Sequence, residues 1–282
     1  MWENRSKVLF GSGVLIAGLI IIQMIMYALY VLVGIDPHFN LIQICDSWVK
    51  KYDLHSLSYV LNVLVFYTLS LMVWGIYKQI RLSRQAYRKM VGIKDSSVTE
   101  QMNQAYSHSK QDILVIRHAD PLAFTMGFMK TRIVLSTGLL ELLDEDESKA
   151  VIYHEKYHLK HSDPLKTLLL YLFSSVMWYL PILKSFHQNY RIIRELLADK
   201  YSIEQMQTPT HLGSALIKMI KRGKSTPLPF SHVSFAETSI NYRIKQLVEP
   251  ESDLPLHFPL KSLMISIKIL LVLFTSFILA LS

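Results

Sequence analysis

The sequence contains very little cysteine and little charge. Cys45 is the single cysteine among 282 residues, which excludes a disulfide bond within the chain. Charged residues make up 18% of the sequence and hydrophobic residues 51%, and the mean hydropathy is +0.25. This composition is too apolar for an ordinary soluble domain and too polar for a chain made of membrane helices alone. We therefore predict a few membrane spans around one soluble domain.

Three long apolar runs are the predicted membrane spans, at residues 8–33, 57–80 and 263–281. A helix needs about 20 apolar residues to cross a hydrocarbon core of about 30 Å. The first run carries no charged side chain. It is longer than the apolar part of a cleavable signal peptide, and no small-residue cleavage site follows it. We therefore predict that it stays in the membrane as a span.

The basic residues around these runs predict the orientation of the chain. The net charge of +8 would suit nucleic acid or anionic lipid, but the positive-inside rule explains it more simply. Lys and Arg are concentrated before the first span and after the second, whereas the loop at 34–56 has only Lys50 and Lys51. No direct contact with nucleic acid is expected. The predicted domains are two spans with a short external loop (1–80), a cytosolic domain (81–259) and a C-terminal span (260–282).

The predicted soluble domain begins with a small sheet followed by a helix. Asp144 is a suitable N-cap, and Glu147 three residues later completes the pattern of a capping box. The helix is predicted to reach about His161 and to end before Pro164. Short β-prone runs separated by turn residues precede the helix, and two more segments follow later in the chain. The runs are 113–116, 122–125 and 132–135, and the later segments are a loop at 223–230 and a last helix at 237–248.

The predicted helix contains the motif H-E-x-x-H, formed by His154, Glu155 and His158. Residues four apart share one face of a helix, so both imidazoles can bind one metal ion. Glu155, next to the first histidine, is placed to act as a general base. A motif this short also occurs by chance on solvated helix faces. Its assignment as a zinc site therefore needs a third ligand.

A second motif supplies that ligand. Glu195 and Asp199 lie four residues apart in R-E-L-L-A-D and so share a helix face. If that face is buried, two carboxylates there require a cation or hydrogen-bond donors. Glu195 is the predicted third zinc ligand, and Asp199 is the predicted acceptor for a ligand histidine. The alternative is a surface helix on which Arg191 and Glu195 form an exposed pair.

An apolar stretch at 165–183 separates the two motifs. It carries Lys166 and is interrupted by Pro181. A full crossing of the membrane here would place Glu195 on the opposite side from the two histidines. We therefore predict a helix that packs in the membrane or dips into it and then turns back at Pro181.

Several short motifs between residues 121 and 203 carry a family resemblance. They are P-L-A-F-T-M-G from Pro121, T-R-I-V-L-S from Thr131, H-E-K-Y-H with Asp163, W-Y-L-P from Trp178, and R-E-L-L-A-D from Arg194. In combination they resemble the BlaR/MecR-type signal-transducing membrane metallopeptidases, which are relatives of the HtpX-type membrane proteases. The antibiotic-sensing members carry an extracellular penicillin-binding domain after their last span. This sequence stops at Ser282, so we expect no β-lactam sensing by that route.

The resemblance implies the fold class and the cofactor. We expect an α-helical membrane protein with an α+β zincin-like (gluzincin) cytosolic metallopeptidase domain. It further implies Zn²⁺, hydrolysis of a peptide bond on the cytosolic side of the cell membrane, and a protein substrate. A substrate strand is expected to pair with an edge strand at Ala123, Phe124 and Thr125, because main-chain hydrogen bonds can add a strand to a free edge.

Three functions remain open at this point. The first is a multi-pass zinc endopeptidase that cleaves a cytosolic regulatory protein, such as a transcriptional repressor. The second is an HtpX-like protease that degrades damaged membrane proteins. The third is a non-catalytic, zinc-stabilised scaffold or receptor, against which Glu155 argues because a structural zinc site has no use for a general base. The oxyanion donor is left open between an isolated histidine and a tyrosine such as Tyr242.

Overall fold

A computed structural model of the chain describes residues 2–35, 40–51, 55–107, 112–128, 130–222, 232–234, 240–249 and 260–281. The chain divides into two compact units. The sheet-containing unit comprises Met1–Lys7, Gln79–Leu168 and Asn189–Leu256. The helical unit comprises Val8–Lys78, Leu169–Gln188 and His257–Ser282.

The described elements are mainly helices. The helices are α1 (Trp2–Val33), α2 (Leu41–Lys51), α3 (His55–Gly92), α4 (Ser96–Tyr106), α5 (Thr137–Leu142), α6 (Glu145–His161), α7 (Asp163–Val176), α8 (Pro181–Met206), α9 (Thr210–Arg222), α10 (Ile240–Val248) and α11 (Leu260–Leu281). The strands are β1 (Ile113–Ile116), β2 (Ala123–Met126), β3 (Arg132–Ser136) and β4 (His232–Ser234).

The four strands form one mixed sheet in the order β1-β3-β2-β4. β1 runs parallel to β3, whereas β2 is antiparallel to both β3 and β4. The three strands that the sequence predicts are present, with bounds that agree to within one residue. The prediction that β2 offers a free edge is wrong, because β4 pairs with Phe124, Thr125 and Met126. β4 has three residues and no alternating pattern, so the sequence does not reveal it.

Both faces of the sheet are buried, which explains why its strands read as continuous apolar runs. On one face, Val115, Ala123 and Leu135 pack with residues of α6 and α9 such as Val151 and Leu216. On the other face, the neighbouring positions in the same strands pack against the last turns of α3. That second cluster includes Leu114, Ile116, Phe124, Met126, Val134, Tyr87 and Met90. The sheet therefore separates α3 from α6.

α6 has the ends that the sequence predicts. The Asp144 side chain accepts from the backbone N–H of Glu147 at 2.8 Å, and the Glu147 carboxylate accepts from the backbone N–H of Asp144 at 3.0 Å. The helix ends after His161 at Ser162, which has a left-handed backbone with φ of 52°. This break turns the chain into α7, which begins at Asp163.

Two described helices are long and apolar enough to cross a membrane, at Trp2–Val33 and Ser58–Gly92. They contain the first two predicted spans apart from residue 57. α11 lies at the third predicted span and has 22 residues, but its crossing stays a prediction. α7 has 14 residues and reaches only about 21 Å, which is short of a crossing. The depth of the 165–183 stretch in the membrane likewise stays a prediction.

The helical unit contains one helix that the sequence did not predict. α2 lies in the supposed external loop, and its first backbone N–H, from Leu41, donates to Gln23 Oε1 of α1 at 2.9 Å. Between α1 and α3, Tyr27 donates to Asn62 Oδ1 at 3.0 Å. In the same unit, Ser266 Oγ of α11 accepts from the backbone N–H of Ile182 at 3.1 Å. The predicted loop at 223–230 lies outside the described residues.

Replacing Glu147 by Gln should destabilise the fold in a pH-dependent manner. Besides its cap, the buried carboxylate accepts from Ser214 Oγ at 2.5 Å and from Lys218 Nζ at 2.7 Å of α9. Burial raises the pKa of Glu147, but the hydrogen bonds from Lys218 and Ser214 outweigh it and hold the pKa below its usual 4.5. Because the pKa is lowered in the folded state, the ionised Glu147 carboxylate stabilises the fold fully well above pH 4.5. This stabilisation is lost as the pH falls below 4.5.

We expect Glu147→Gln to lower the free energy of unfolding at pH 7 by about 1–2 kcal/mol, and this difference from the wild type should shrink toward pH 4. Thermal unfolding of the detergent-solubilised protein at both pH values measures it. Glu141→Gln, at an exposed position on α5, is the control. A difference that grows on acidification would contradict the assignment.

Candidate metal centre

α6 places the two predicted histidine ligands side by side. His154 and His158 lie one helical turn apart, and both are completely buried. Their Nε2 atoms are 3.1 Å apart. The motif therefore lies on the inner face of α6, not on a solvated face.

α8 brings the third predicted ligand to the same place. Glu195 Oε2 lies 3.4 Å from His154 Nε2, and Glu195 Oε1 lies 3.6 Å from His158 Nε2. These ligand atoms lie within 4.8 Å of one another. Donors bound tetrahedrally to Zn²⁺ at about 2.0–2.1 Å are about 3.3 Å apart, so the observed spacings suit one zinc ion. The alternative in which Glu195 is exposed on a surface helix does not apply, since only 1% of its surface is accessible.

Two aspartates orient the imidazole rings. Asp199 Oδ1 lies 2.8 Å from His154 Nδ1, and Asp163 Oδ2 lies 2.8 Å from His158 Nδ1. An ionised carboxylate only accepts hydrogen bonds, so each Nδ1 must carry the proton. Each Nε2 atom then carries a lone pair, and the lone pairs of His154 and His158 face each other. They repel one another unless a cation lies between them. The donor set therefore fits a metal ion, and the pairing of each histidine with a carboxylate is the arrangement usually found around metal-binding histidines.

Two buried arginines hold the aspartates. Arg194 Nε donates to Asp163 at 2.8 Å. Arg243 donates to Asp199 through Nε and Nη2, both at 2.7 Å, and its Nη1 lies 3.4 Å from Glu195 Oε2. Neither arginine is among the site residues that the sequence predicts. Arg194 has a local signal because it precedes Glu195, whereas Arg243 lies on α10 and no spacing in the sequence connects it to the motif.

The electrostatics of the site favour a cation at the histidines. Burial raises the pKa of Asp199, but Arg243 and His154 outweigh it and hold the pKa at about 2. Burial and Arg243 lower the pKa of His154, yet Asp199 and Glu195 outweigh them, so that this pKa is raised. A raised imidazole pKa means that the surroundings attract positive charge, and a bound metal ion meets the same requirement.

Glu155 lies beside the ligands but is not one of them. It is completely buried, and its Oε2 accepts from Thr125 Oγ1 at 2.6 Å. Burial raises the pKa of its carboxyl group. Oε1 has no hydrogen-bond partner among the described residues. One oxygen is therefore fixed by β2 while the other remains available to a reactant.

The three residues proposed from sequence as a substrate strand have other contacts. Thr125 faces α6, where it holds Glu155. Phe124 packs on the opposite face of the sheet, and Ala123 packs in the core under α6. β4 pairs with this edge of β2, so the structure does not support a role for these residues in pairing with a substrate strand.

His161, which the sequence did not favour as a ligand, lies outside the metal-binding group. Its Nδ1 lies 2.8 Å from the Tyr157 carbonyl oxygen.

Comparison with known proteins identifies the family. Residues 24–247 match the family model described as BlaR1 peptidase M56. The chain belongs to this family. This match confirms the family resemblance that the sequence motifs indicated. The family is one of membrane metallopeptidases.

The matched relatives are of two kinds. A protease HtpX homolog from Methanothermobacter thermautotrophicus is 32% identical over 127 residues, which cover 36% of this chain and 49% of the relative. An HtpX homolog from Helicobacter pylori (strain Shi470) is 30% identical over 112 residues, covering 36% of each chain. The regulatory protein BlaR1 of Bacillus licheniformis is 28% identical over 136 residues, covering 47% of this chain and 22% of the relative. Each of these three matches covers less than half of the relative's length.

Replacing Asp199 by Asn should weaken zinc binding while preserving the ligands. Asn has the same shape, but it removes the negative charge that holds the proton on His154 Nδ1. We expect the affinity for Zn²⁺ to fall about 10–100-fold, as measured by competition with a chelator on the purified protein. Glu204→Gln is the control, because Glu204 is an exposed carboxylate on the same helix. An unchanged affinity in Asp199→Asn would contradict the orienting role.

Proposed function

We propose that this protein is an integral-membrane zinc endopeptidase in which His154, His158 and Glu195 bind Zn²⁺ and Glu155 is the general base. The observation that carries this proposal is the buried Glu155 carboxylate beside three converging ligand atoms. A purely structural zinc site needs four protein ligands and no adjacent base. Three ligands and a neighbouring carboxylate are typical of a catalytic site, which disfavours the scaffold hypothesis.

The side chains divide the chemistry between them. When bound, Zn²⁺ would supply the Lewis acid that polarises the scissile carbonyl and acidifies the attacking water. Glu155 would take a proton from that water at Oε1 and deliver it to the leaving amide nitrogen. Thr125 would hold Oε2, so that the carboxylate keeps one orientation during both transfers. Asp199 and Asp163 would fix the two imidazoles, with Arg243 and Arg194 holding the aspartates in turn.

We place the active site on the cytosolic side of the cell membrane. The two long apolar helices support a membrane protein, and the 22-residue α11 suits a third crossing. The largest segment of the sheet-containing unit, Gln79–Leu168, starts at the end of the second predicted span, where Lys and Arg are concentrated. The positive-inside rule assigns such a segment to the cytosol.

The proposed substrate is a cytosolic regulatory protein, such as a transcriptional repressor. The relationship to a regulatory protein, BlaR1, supports this choice. The relatives named as protease HtpX homologs support a second candidate, the degradation of damaged membrane proteins. The two candidates share the same site and differ in the proteins that reach it.

Comparing cells that produce the wild type with cells that produce Glu155→Gln tests the proposal. Gln keeps the size of the side chain but cannot accept the proton from water, so we expect cleavage to fall by at least about 100-fold. New protein N-termini would be identified by mass spectrometry in both cultures. Glu141→Gln, an exposed change of the same chemistry, should behave as the wild type.

The identity of the new termini separates the candidates. Termini from one cytosolic DNA-binding protein would support the regulatory protease, and termini from many membrane proteins would support quality control. Zinc content measured on both purified proteins shows whether Glu155→Gln leaves the metal site intact. Equal sets of termini from cells with zinc-loaded wild type and zinc-loaded variant would contradict proteolysis by this site.

A further inference from the structure

A basic cavity lies in the sheet-containing unit, between the α3 helix and the turn that joins β2 to β3. Its volume is about 360 Å³. Three of the side chains that line it are cationic, and none of the described residues that line it is a carboxylate. The residues that line the cavity include Ser83, Arg84, Tyr87, Gly127, Lys130 and Arg132.

Among the described residues, no carboxylate is paired with the cations of this cavity, which are Arg84, Lys130 and Arg132. Three like charges around one concavity repel one another, because each raises the local potential for the others. The cavity is therefore suited to an anion that can contact all three.

Local geometry gives the cavity a defined shape. Gly127 has φ of +104°, and a Cβ at this position would lie 2.4 Å from the Lys130 carbonyl oxygen. The turn can therefore close tightly only with glycine here, which brings Lys130 back toward the strands. The Arg132 guanidinium lies 5.5 Å from the centre of the Tyr87 ring, an arrangement that fixes the arginine through a cation–π contact.

The cavity is on the opposite face of the sheet from the metal centre. Successive side chains of a strand point to opposite faces. Thr125 points toward α6 and Glu155, whereas Met126 packs in the cluster with Tyr87 of α3. An anion in the cavity is thus separated from the proposed catalytic residues by the sheet.

The position of the cavity along α3 favours one source of anion. The candidate span Ser58–Gly92 is part of α3. Lys78 is the first Lys or Arg along this helix. Arg84 follows Lys78 by six residues, a rise of about 9 Å. The polar headgroup layer extends about 5–8 Å beyond the hydrocarbon core, and a long arginine side chain can reach back into it.

We propose that this cavity binds the phosphate headgroup of an anionic phospholipid. Arginine side chains donate in a planar fork that matches phosphate oxygens, lysine adds a point charge, and the Ser83 hydroxyl can supply a further donor. Basic clusters next to a membrane-spanning helix favour anionic headgroups electrostatically. A free phosphate shares this chemistry, but it would gain nothing from the location beside the membrane.

Lipid retention by the purified full-length protein tests the proposal. The protein would be reconstituted into nanodiscs of equal parts phosphatidylglycerol and phosphatidylcholine, extracted into detergent, and its bound lipids counted by native mass spectrometry. We expect the wild type to retain phosphatidylglycerol in preference to phosphatidylcholine. The variant Arg84→Gln/Lys130→Gln/Arg132→Gln should lose this preference. We expect its affinity for phosphatidylglycerol to fall about fivefold for each cation removed.

A matched control removes the same charge from the same region. Arg81, Arg88 and Lys89 are exposed residues of α3 that do not line the cavity, so their joint replacement by Gln should leave the retained lipid unchanged. Equal loss in both triple variants would overturn the proposal, because it would show unspecific attraction. Unchanged retention in the cavity variant would also overturn it.

Stability and zinc content show whether the cavity variant keeps its fold. The thermal unfolding and zinc content of the cavity variant should equal those of the wild type. If the triple variant unfolds, Lys130→Gln alone replaces it, because Lys130 is exposed. Its affinity for phosphatidylglycerol is expected to fall about fivefold, and an unchanged affinity would overturn the proposal.

Titration with short-chain phosphatidylglycerol and with inorganic phosphate separates the two sources of anion. Equal affinity for both would overturn the lipid assignment in favour of free phosphate.

Discussion

Charge compensation around two buried imidazoles is the constraint on which the sheet-containing unit depends. Four carboxylates surround the histidines with almost no access to water, and they belong to Glu155, Asp163, Glu195 and Asp199. Arg194 and Arg243 are the buried guanidiniums that face them. When all four carboxylates are ionised, two negative charges remain uncompensated, which is the charge that one Zn²⁺ balances. Buried charges are tolerated only when they are paired in this way.

This compensation links distant parts of the chain. The carboxylates lie on α6, α7 and α8, and Arg243 reaches them from α10. α10 has nine residues, and Arg243 is its completely buried side chain. Breaking a buried ion pair on one side commonly costs about 3–5 kcal/mol. Packing of the sheet and assembly of the metal centre are therefore parts of one cooperative structure, since α6 contributes residues to both.

Local patterns allowed the sequence to predict part of this structure and not the rest. His154 and His158, like Glu195 and Asp199, are related by helical spacing, and the capping box at Asp144 is complete within four residues. The strands β1 to β3 are continuous apolar runs bounded by turns. β4, α2 and Arg243 depend on contacts with residues far away in sequence, so no local spacing reveals them. The free edge predicted for β2 failed for this reason, because the strand that covers it carries only three residues.

The alternation of side chains in β2 gives the two faces of the sheet different roles. Thr125 holds Glu155, the proposed general base, while Phe124 and Met126 on either side of it pack beneath α3. α3 is itself one of the two described helices that are long and apolar enough to cross a membrane. A continuous series of packed residues therefore connects this helix to Glu155 across one strand. Because protein interiors are close-packed, a displacement of α3 against the sheet would have to be accommodated at β2. The hydrogen bond between Thr125 and Glu155 lies on the face of that strand opposite α3.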